Sequence, residues 1–234
     1  MVADADSITT PRVPLNNTRV LQAAIELADR TGIESLTMRN LAQELNVEAM
    51  SLYYHVANKE ALLDGLVDSL VTEIEAERGG FEVEAEEAEW LSTMRSLILT
   101  ARTVMLRHPW GPRVIESRTT TTPTLLRYFN TLLGIMIEGG FSNDLGHHAM
   151  HALGSRALGF SQELFEPDDT DQGGENAEAL LAALVPQLPY LVGMLADVVH
   201  DDPDTTLGWC DDQTEFEFGL DLLLSGLETR RANQ

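Results

Sequence analysis

The segment between residues 36 and 59 limits the fold of this chain more than any other part. Thr37 can cap a helix over Met38–Leu45, because a threonine hydroxyl accepts a hydrogen bond from a free amide of the first turn. Asn46 tolerates the left-handed backbone conformation, so it predicts a turn directly after that helix. A second helix is predicted from Glu48. Two short helices joined by a tight turn are typical of a helix-turn-helix DNA reader.

The second helix of this pair has an apolar face and an outward face. Leu52 and Val56 are four positions apart and therefore lie on one side of a helix. The other side is predicted to present small, hydroxyl-bearing and aromatic residues, namely Ala49, Met50, Ser51, Tyr53, Tyr54 and His55. Many unrelated helix pairs share this layout, so the pattern alone does not identify a DNA reader.

The residues themselves resemble the DNA-binding signature of the tetracycline-repressor (TetR) family. The matches at the same spacing are Thr37, Arg39, Leu41, Ala42, Val47, Ser51, Leu52, Tyr53, His55, Val56, Lys59 and Leu62. Segments Leu15–Leu27 and Asn58–Leu66 resemble the first and fourth helices of that family. Further along, the chain is similar to the ligand-binding half of the tetracycline-repressor subgroup at Glu138–Ser142, Ala157–Gly159 and Phe218–Glu228.

An all-α fold is predicted for the whole chain. A first helix capped by Asn16 or Asn17 runs to about Thr31, and a fourth helix capped by Asn58 runs to about Glu77. The fourth helix has a stripe of apolar residues at i, i+4 spacing, which predicts burial: Leu62, Leu66, Leu70 and Ile74. Later helices are predicted at 87–107, 112–117, 123–138, 143–164, 176–199 and 210–230, with Pro186 and Pro189 interrupting the fifth of these.

These elements predict three regions. Residues 1–14 are expected to be a flexible N-terminal arm, 15–60 the helix-turn-helix DNA-binding domain, and 61–234 a ligand-binding and dimerisation domain. The acidic segment 165–176 is expected to be a surface loop.

Charge and composition indicate where this chain works. The formal net charge is −23, but residues 1–60 hold five basic and eight acidic residues, whereas residues 61–234 hold 10 and 30. The acidic part would repel DNA and leave the N-terminal end to approach it. With Cys210 as its single cysteine, no apolar run of about 18 residues and no signal-like N-terminus, the chain is expected in the cytoplasm and not in a membrane.

The resemblance assigns DNA contacts to nine residues: Thr37, Arg39, Ala49, Met50, Ser51, Tyr53, Tyr54, His55 and Lys59. Arg39 would read a guanine edge, since a guanidinium can bond O6 and N7 together. Ala49 and Met50 can touch thymine methyl groups but cannot hydrogen-bond, so the operator is expected to differ from the tetracycline operator. Arg39 could instead be an ordinary solvated arginine, and Tyr53 and His55 could belong to the core.

The resemblance also implies a small-molecule pocket. Candidate effector-binding residues are Leu97, Trp110, Ile115, Arg118, Leu133, Met136, Ser155 and Phe160. Ile115 and Ser155 stand where the subgroup has histidines that contact a drug–magnesium chelate, so an apolar or aromatic effector is expected instead. The apolar candidates could equally be ordinary core residues, and Arg118 could form a structural ion pair.

Dimerisation is the remaining implication of the resemblance. The segments 143–164 and 210–230 would pair with those of a second copy, and Gly219 and Gly226 would permit close helix approach. Core packing within one chain is the alternative for both segments.

The expected function is therefore a homodimeric, ligand-responsive repressor of a palindromic operator, without a cofactor or a metal and not an enzyme. One alternative is a metal-dependent enzyme that uses His147, His148 and His151, because His147 and His151 share a helix face. Another is a small-molecule-binding protein that no longer binds DNA.

Overall fold

A computed structural model of the protein describes residues 14–81, 89–159, 185–190 and 212–234. Within these ranges the regular elements are helices, which confirms the all-α prediction. The α-helices are α1 (Asn17–Thr31), α2 (Met38–Glu44), α3 (Ala49–Leu52), α4 (Lys59–Arg78), α5 (Trp90–Arg107), α6 (Gly111–Ser117), α7 (Pro123–Glu138), α8 (Asn143–Gly159) and α9 (Asp212–Arg231). Short 3₁₀ turns span Ile33–Ser35 and Val185–Gln187.

Side-chain caps account for the starts of three helices. The side chains of Asn16, Thr37 and Asn58 accept hydrogen bonds from backbone amides in the first turns of α1, α2 and α4. Such a bond satisfies an amide that the helix itself leaves unpaired. Gly79 ends α4 with a φ of 84°, a conformation that costs glycine little.

The chain forms two compact units. Unit 1 takes in the described residues of Met1–Phe81 and Thr100–Phe129, and unit 2 takes in those of Glu82–Leu99 and Asn130–Gln234.

Unit 1 is built around α4. The predicted stripe of Leu62, Leu66, Leu70 and Ile74 is buried, with each residue at most 1% exposed. Gly65 lies on the side of α4 that faces α1, where an added Cβ would stand 2.6 Å from Leu21 Cδ2. The absence of a side chain at this position allows α1 to pack closely on α4.

Unit 2 includes polar contacts of α9 with α5 and with the end of α7. Arg95 donates from Nε to Asp221 at 2.7 Å and from Nη2 to Glu217 at 2.6 Å. The indole of Trp90 donates to Glu228 at 2.9 Å. Arg231 donates both to Glu228 and to the Gly139 carbonyl. These bonds hold α9 in place along its length, together with its buried residues Phe216, Leu220 and Leu224.

Several predicted segments lie outside the described residues. They are most of the N-terminal arm, residues 160–164 of the segment 143–164, the loop 165–176 and most of the segment 176–199. The 3₁₀ turn at Val185–Gln187 contains Pro186, one of the two prolines predicted to interrupt that segment. Among the described helices, none is long and apolar enough to cross a membrane.

Candidate functional site

The start of α2 is fixed by two local hydrogen bonds. The Thr37 hydroxyl accepts from the Asn40 amide at 3.1 Å, and the Asn40 side chain donates to the Ser35 carbonyl at 2.7 Å. Arg39 lies in this first turn with its side chain exposed. The cap therefore holds the segment from which the Arg39 guanidinium projects into solvent.

The turn between α2 and α3 has the predicted geometry. Asn46 has a φ of 53°, and the Val47 amide donates to the Ala42 carbonyl at 2.9 Å. Leu52 and Val56 are buried, at 0% and 4% exposed, and anchor the segment after the turn. The helix-turn-helix layout predicted from the sequence is present.

The second helix is shorter than predicted. The α-helix ends at Leu52, and Tyr53, Tyr54 and His55 form a turn. The His55 amide bonds the Leu52 carbonyl three residues back, and the Val56 amide bonds the same carbonyl. The first bond is of the tighter i→i−3 type and the second is of the α-helical i→i−4 type. The regular α-helix is a single turn, so the expectation of helix through His55 was wrong.

The outward face of this segment is exposed. Met50 is 69% exposed, Tyr53 43% and Tyr54 89%, whereas Ala49, Ser51 and His55 are half-buried. A surface that enters a DNA groove must be open in the free protein, and these side chains satisfy that condition.

The first turn of α4 lies beside this surface. Asn58 accepts from the Ala61 amide at 2.8 Å, and Lys59 comes next in the chain with an exposed side chain. Asn17 of α1 donates to the His55 carbonyl at 3.1 Å, which ties the end of the reader turn to α1. We call the surface formed by the nine predicted DNA contacts the reader surface.

A polar cluster that no sequence pattern predicted joins α1, α4 and the corner between α5 and α6. His108 is buried between Asp29 and Glu73, and the indole of Trp110 donates to Asp29 at 2.6 Å. Trp110 was predicted to line an effector pocket, and its polar atom is committed to this cluster. Except for His108 and Trp110, which are close in the sequence, the members of this cluster are at least 35 positions apart. No local sequence pattern could therefore have revealed the cluster.

Two arginines of the α6 region pair with acidic residues elsewhere in unit 1. The Arg118 side chain is 6% exposed and contacts Glu60 and, at 2.9 Å, Asp64. Arg113 pairs with Glu34, in the 3₁₀ turn after α1. The structural ion pair that was the alternative for Arg118 is therefore present.

The other predicted effector residues divide between the two units. In unit 2, Leu97 and Met136 are fully buried and Leu133 is half-buried. Ile115 is half-buried in unit 1. The backbone of Ser155 belongs to α8, but its side chain and the whole of Phe160 lie outside the described residues.

Unit 1 also has an open groove of about 740 Å³ between α1 and α4. Its lining combines apolar residues such as Leu21 and Ile25 with the carboxylates Asp64, Asp68 and Glu73. None of the predicted effector-binding residues lines this groove.

The histidines of α8 are exposed. The His147 and His151 rings lie 4.7 Å apart between centroids, as expected for residues one helical turn apart. Among the described residues, no group of three or more histidine, cysteine, aspartate or glutamate side chains is arranged to hold a metal ion.

Comparisons with known proteins agree with this geometry. Residues 20–66 match the family described as bacterial regulatory proteins, tetR family, and residues 84–231 match the tetracyclin repressor-like C-terminal domain. The class D tetracycline repressor protein of Escherichia coli is 33% identical over 220 residues, which cover 92% of this chain and 90% of that protein.

Solved structures give the same result. The Streptomyces coelicolor TetR family protein ActR in complex with actinorhodin matches with a TM-score of 0.69 at 27% identity. The match covers 94% of this chain and 99% of ActR. A variant of TetR from Acinetobacter baumannii in complex with minocycline matches with a TM-score of 0.63 at 25% identity, covering 93% and 95% of the two chains. With a helix-turn-helix reader at one end and family matches over both parts, the chain belongs to the TetR family of transcriptional regulators.

Proposed function

We propose that the protein is a ligand-responsive repressor that binds a palindromic operator as a homodimer in the cytoplasm. The observation that carries the proposal is the open reader surface, held at one end by the Thr37 cap and at the other by the Asn58 cap. Relatives at 33% identity are tetracycline repressor proteins, which supports repression over activation.

Arg39 and Lys59 would play different parts in operator binding. Arg39 would donate to a guanine edge, whereas Lys59, beside the free amides that begin α4, would bind a phosphate. Met50 and Ala49 would touch thymine methyl groups. Ser51, Tyr53, Tyr54, His55 and Thr37 would contact the backbone and fix the register without reading the sequence.

The exposed faces of α8 and α9 support the proposed dimer. Phe218 is 63% exposed and Leu222 60% on α9. A Cβ added at Gly226 of α9 or at Gly154 of α8 would meet nothing within 4 Å in its own chain. A second copy packed on these faces would bury the apolar side chains and use the glycines for close approach. Two reader surfaces about 34 Å apart could then enter successive major grooves.

The effector is proposed to be an apolar or aromatic molecule rather than a magnesium–tetracycline chelate. An isoleucine side chain at position 115 has no atom that can ligate a metal or hydrogen-bond its waters. The likeness to ActR with bound actinorhodin supports a different ligand class. Release of DNA requires only that the effector bind more tightly to the conformation that fits the operator poorly.

Operator recognition can be tested with duplexes selected from a random pool by the purified protein. Arg39→Ala is expected to weaken binding by about 1–3 kcal/mol and to relax the preference at one base position in each half-site. Lys59→Ala is the matched control, since loss of a phosphate contact should weaken all sequences alike. Lys59 is the one cation per protomer that the proposal assigns to a phosphate, so the dimer should show a shallow dependence of log Kd on log salt, with a slope of roughly 2.

The same experiment can refute the proposal. Recovery of no preferred sequence, or unchanged selectivity in Arg39→Ala, would show that the reader surface does not read an operator. In that case the alternative of a small-molecule-binding protein without DNA binding would gain support.

The effector class can be tested by thermal unfolding with two probes. Minocycline with Mg²⁺ is expected to leave the melting temperature unchanged, whereas an aromatic ligand collection that includes actinorhodin should contain molecules that raise it. Ile115→His introduces the side chain typical of the tetracycline-repressor subgroup. This variant tests directly whether the isoleucine is the reason that the chelate does not bind. Magnesium-dependent stabilisation of the unaltered protein by minocycline would contradict the proposal.

A further inference from the structure

The buried imidazole of His108 contacts two carboxylates that come from different helices. His108 is 8% exposed, and its Nδ1 lies 2.8 Å from Asp29 Oδ1 of α1. Its Nε2 lies 3.1 Å from Glu73 Oε2 of α4. The same Asp29 oxygen accepts the indole N–H of Trp110 at 2.6 Å. One side chain at the α5–α6 corner thus joins the first helix of the reader to α4.

Both imidazole contacts can be hydrogen bonds only if each nitrogen–oxygen pair has a proton between its two atoms. A neutral imidazole has one N–H and one nitrogen lone pair, and an ionised carboxylate only accepts. With two ionised carboxylates and a neutral ring, one nitrogen lone pair would face an oxygen lone pair at hydrogen-bond distance. One extra proton, on the ring or shared with a carboxyl group, completes both contacts.

The charged groups around the ring are arranged to receive that proton. Arg107 of α5 donates to Glu73 Oε1 at 2.6 Å and also contacts Glu77 of α4, which leaves Glu73 Oε2 for the imidazole. Asp29 faces the ring from α1. Asp29 and Glu73 contact the ring, and Arg107 and Glu77 lie beyond Glu73, so the cluster holds three carboxylates and one guanidinium. A positive ring reduces the excess negative charge of the cluster.

We propose that Asp29, His108 and Glu73 form a proton-binding site that fastens α1 of the reader to α4 and to the α5–α6 corner. Uptake of the proton completes both imidazole contacts, and its loss removes one of them. The link from α1 through the imidazole to α4 is therefore complete when the proton is bound and broken at one of its two contacts when the proton is lost. An effect of this proton on operator affinity is expected only if the proposed function is correct. The proton site itself does not depend on that function.

Trp110 offers a reporter inside the site, because its indole lies 5.7 Å from the His108 ring. Labelling with 5-fluorotryptophan gives one ¹⁹F resonance for each of the three tryptophans, and Trp110→Phe identifies the resonance of residue 110. This resonance is expected to move in a one-proton step when the pH is varied, because the charge of the neighbouring ring changes.

Two variants separate proton binding from a purely structural role. His108→Gln keeps one donor but cannot titrate, so the pH step of the Trp110 resonance should disappear. In Glu73→Gln the amide can donate to a neutral Nε2, so the extra proton is not needed and the step should move to lower pH. His148→Gln, at an exposed histidine of α8, is the control and should leave the step unchanged.

The outcomes decide the proposal without reference to DNA. A Trp110 resonance that does not change with pH, or a step that persists in His108→Gln, would overturn it. If His108→Gln does not fold, an unshifted step in Glu73→Gln would overturn it instead. Operator affinity that ignores pH while the resonance titrates would refute only the link to the proposed function.

Discussion

Gly139 shows how a single residue without a side chain can determine the packing of a unit. A Cβ at this position would lie 2.5 Å from Trp90 Cβ and 3.0 Å from the Ile135 carbonyl oxygen. Trp90 is 2% exposed and its indole is hydrogen-bonded to Glu228, so it cannot easily move away. The close contact between the end of α7 and Trp90 therefore depends on glycine.

Gly139→Ala is expected to destabilise the protein by about 1–3 kcal/mol, because overpacking forces rigid neighbours to move. Gly146→Ala is the control: its new methyl would meet Leu133 Cδ1 at 3.0 Å, the mobile end of a half-buried side chain. Urea unfolding measures both variants. Equal stability changes would show that the rigidity of Trp90 does not matter.

For single residues, the sequence predicts the kinds of interaction that a side chain can form. It does not predict which other residue becomes the partner. As an arginine, residue 118 could have contacted either a ligand or an acidic side chain. Its partners in the structure, Glu60 and Asp64, lie 58 and 54 positions away in the chain. Asp29, Glu73 and His108 escaped prediction for the same reason. Tertiary packing brings them together, and no local spacing encodes it.

Among the helices, α9 shows how one carboxylate can connect two elements. Glu228 accepts from Arg231 on its own helix and from the Trp90 indole of α5. The bonds from Arg231 and then from Trp90 lower the pKa of Glu228 from 4.5 to about 2. Both donors favour the ionised form, so the folded state holds this carboxylate charged in moderately acidic solution.

This pKa fixes the direction of a pH effect. A carboxylate with a lower pKa in the folded state stabilises the fold above its unfolded pKa near 4.5 and loses that contribution as the pH falls towards 2. Glu228→Gln should therefore reduce the loss of thermal stability across this window, while lowering stability at neutral pH. The side chain is 39% exposed, so solvent screening keeps the effect small.

Glu138→Gln, at an exposed carboxylate that ends α7, is the control for this measurement. Melting temperatures of both variants are recorded in steps from neutral pH to acid. If Glu228→Gln behaves like the unaltered protein at every pH, the two bonds to Glu228 do not contribute to stability.

Helix boundaries were the most predictable feature of the elements. The caps at Asn16, Thr37 and Asn58 and the left-handed Asn46 act within one turn, so their side chains determine the local backbone. The end of α3 was not predictable in this way. Tyr53, Tyr54 and His55 fit a helix as well as a turn, and the choice depends on how Leu52 and Val56 pack into the reader.

For the molecule as a whole, the exposed apolar face of α9 predicts that the protein is a dimer. Leu222→Glu would place an unpaired charge in the proposed interface of each copy. Removing such a charge from water costs about 3 kcal/mol or more, so the dimer dissociation constant should rise by at least about 100-fold. Sedimentation velocity over a concentration series measures this change.

Leu126→Glu is the matched control, because Leu126 is 54% exposed on α7, outside the proposed interface. It should leave the dimer intact. If both variants sediment as the unaltered protein does, the faces of α8 and α9 are not where two copies meet.

The division of charge along the chain could be predicted directly from the sequence, whereas the arrangement of the residues proposed to bind an effector could not. Charges sum without regard to folding, but Leu97, Ile115 and Met136 show the same apolar character whether they line a pocket or fill a core.

The exposed ammonium group at the start of α4 has a practical consequence. Lys59 is the sole lysine of the chain, so amine-directed reagents can modify only this side chain and the terminal amino group. A fluorophore attached in this way would sit on the surface proposed to meet DNA and could report its arrival. Coupling the protein to a sensor chip through amines would, for the same reason, obstruct that surface.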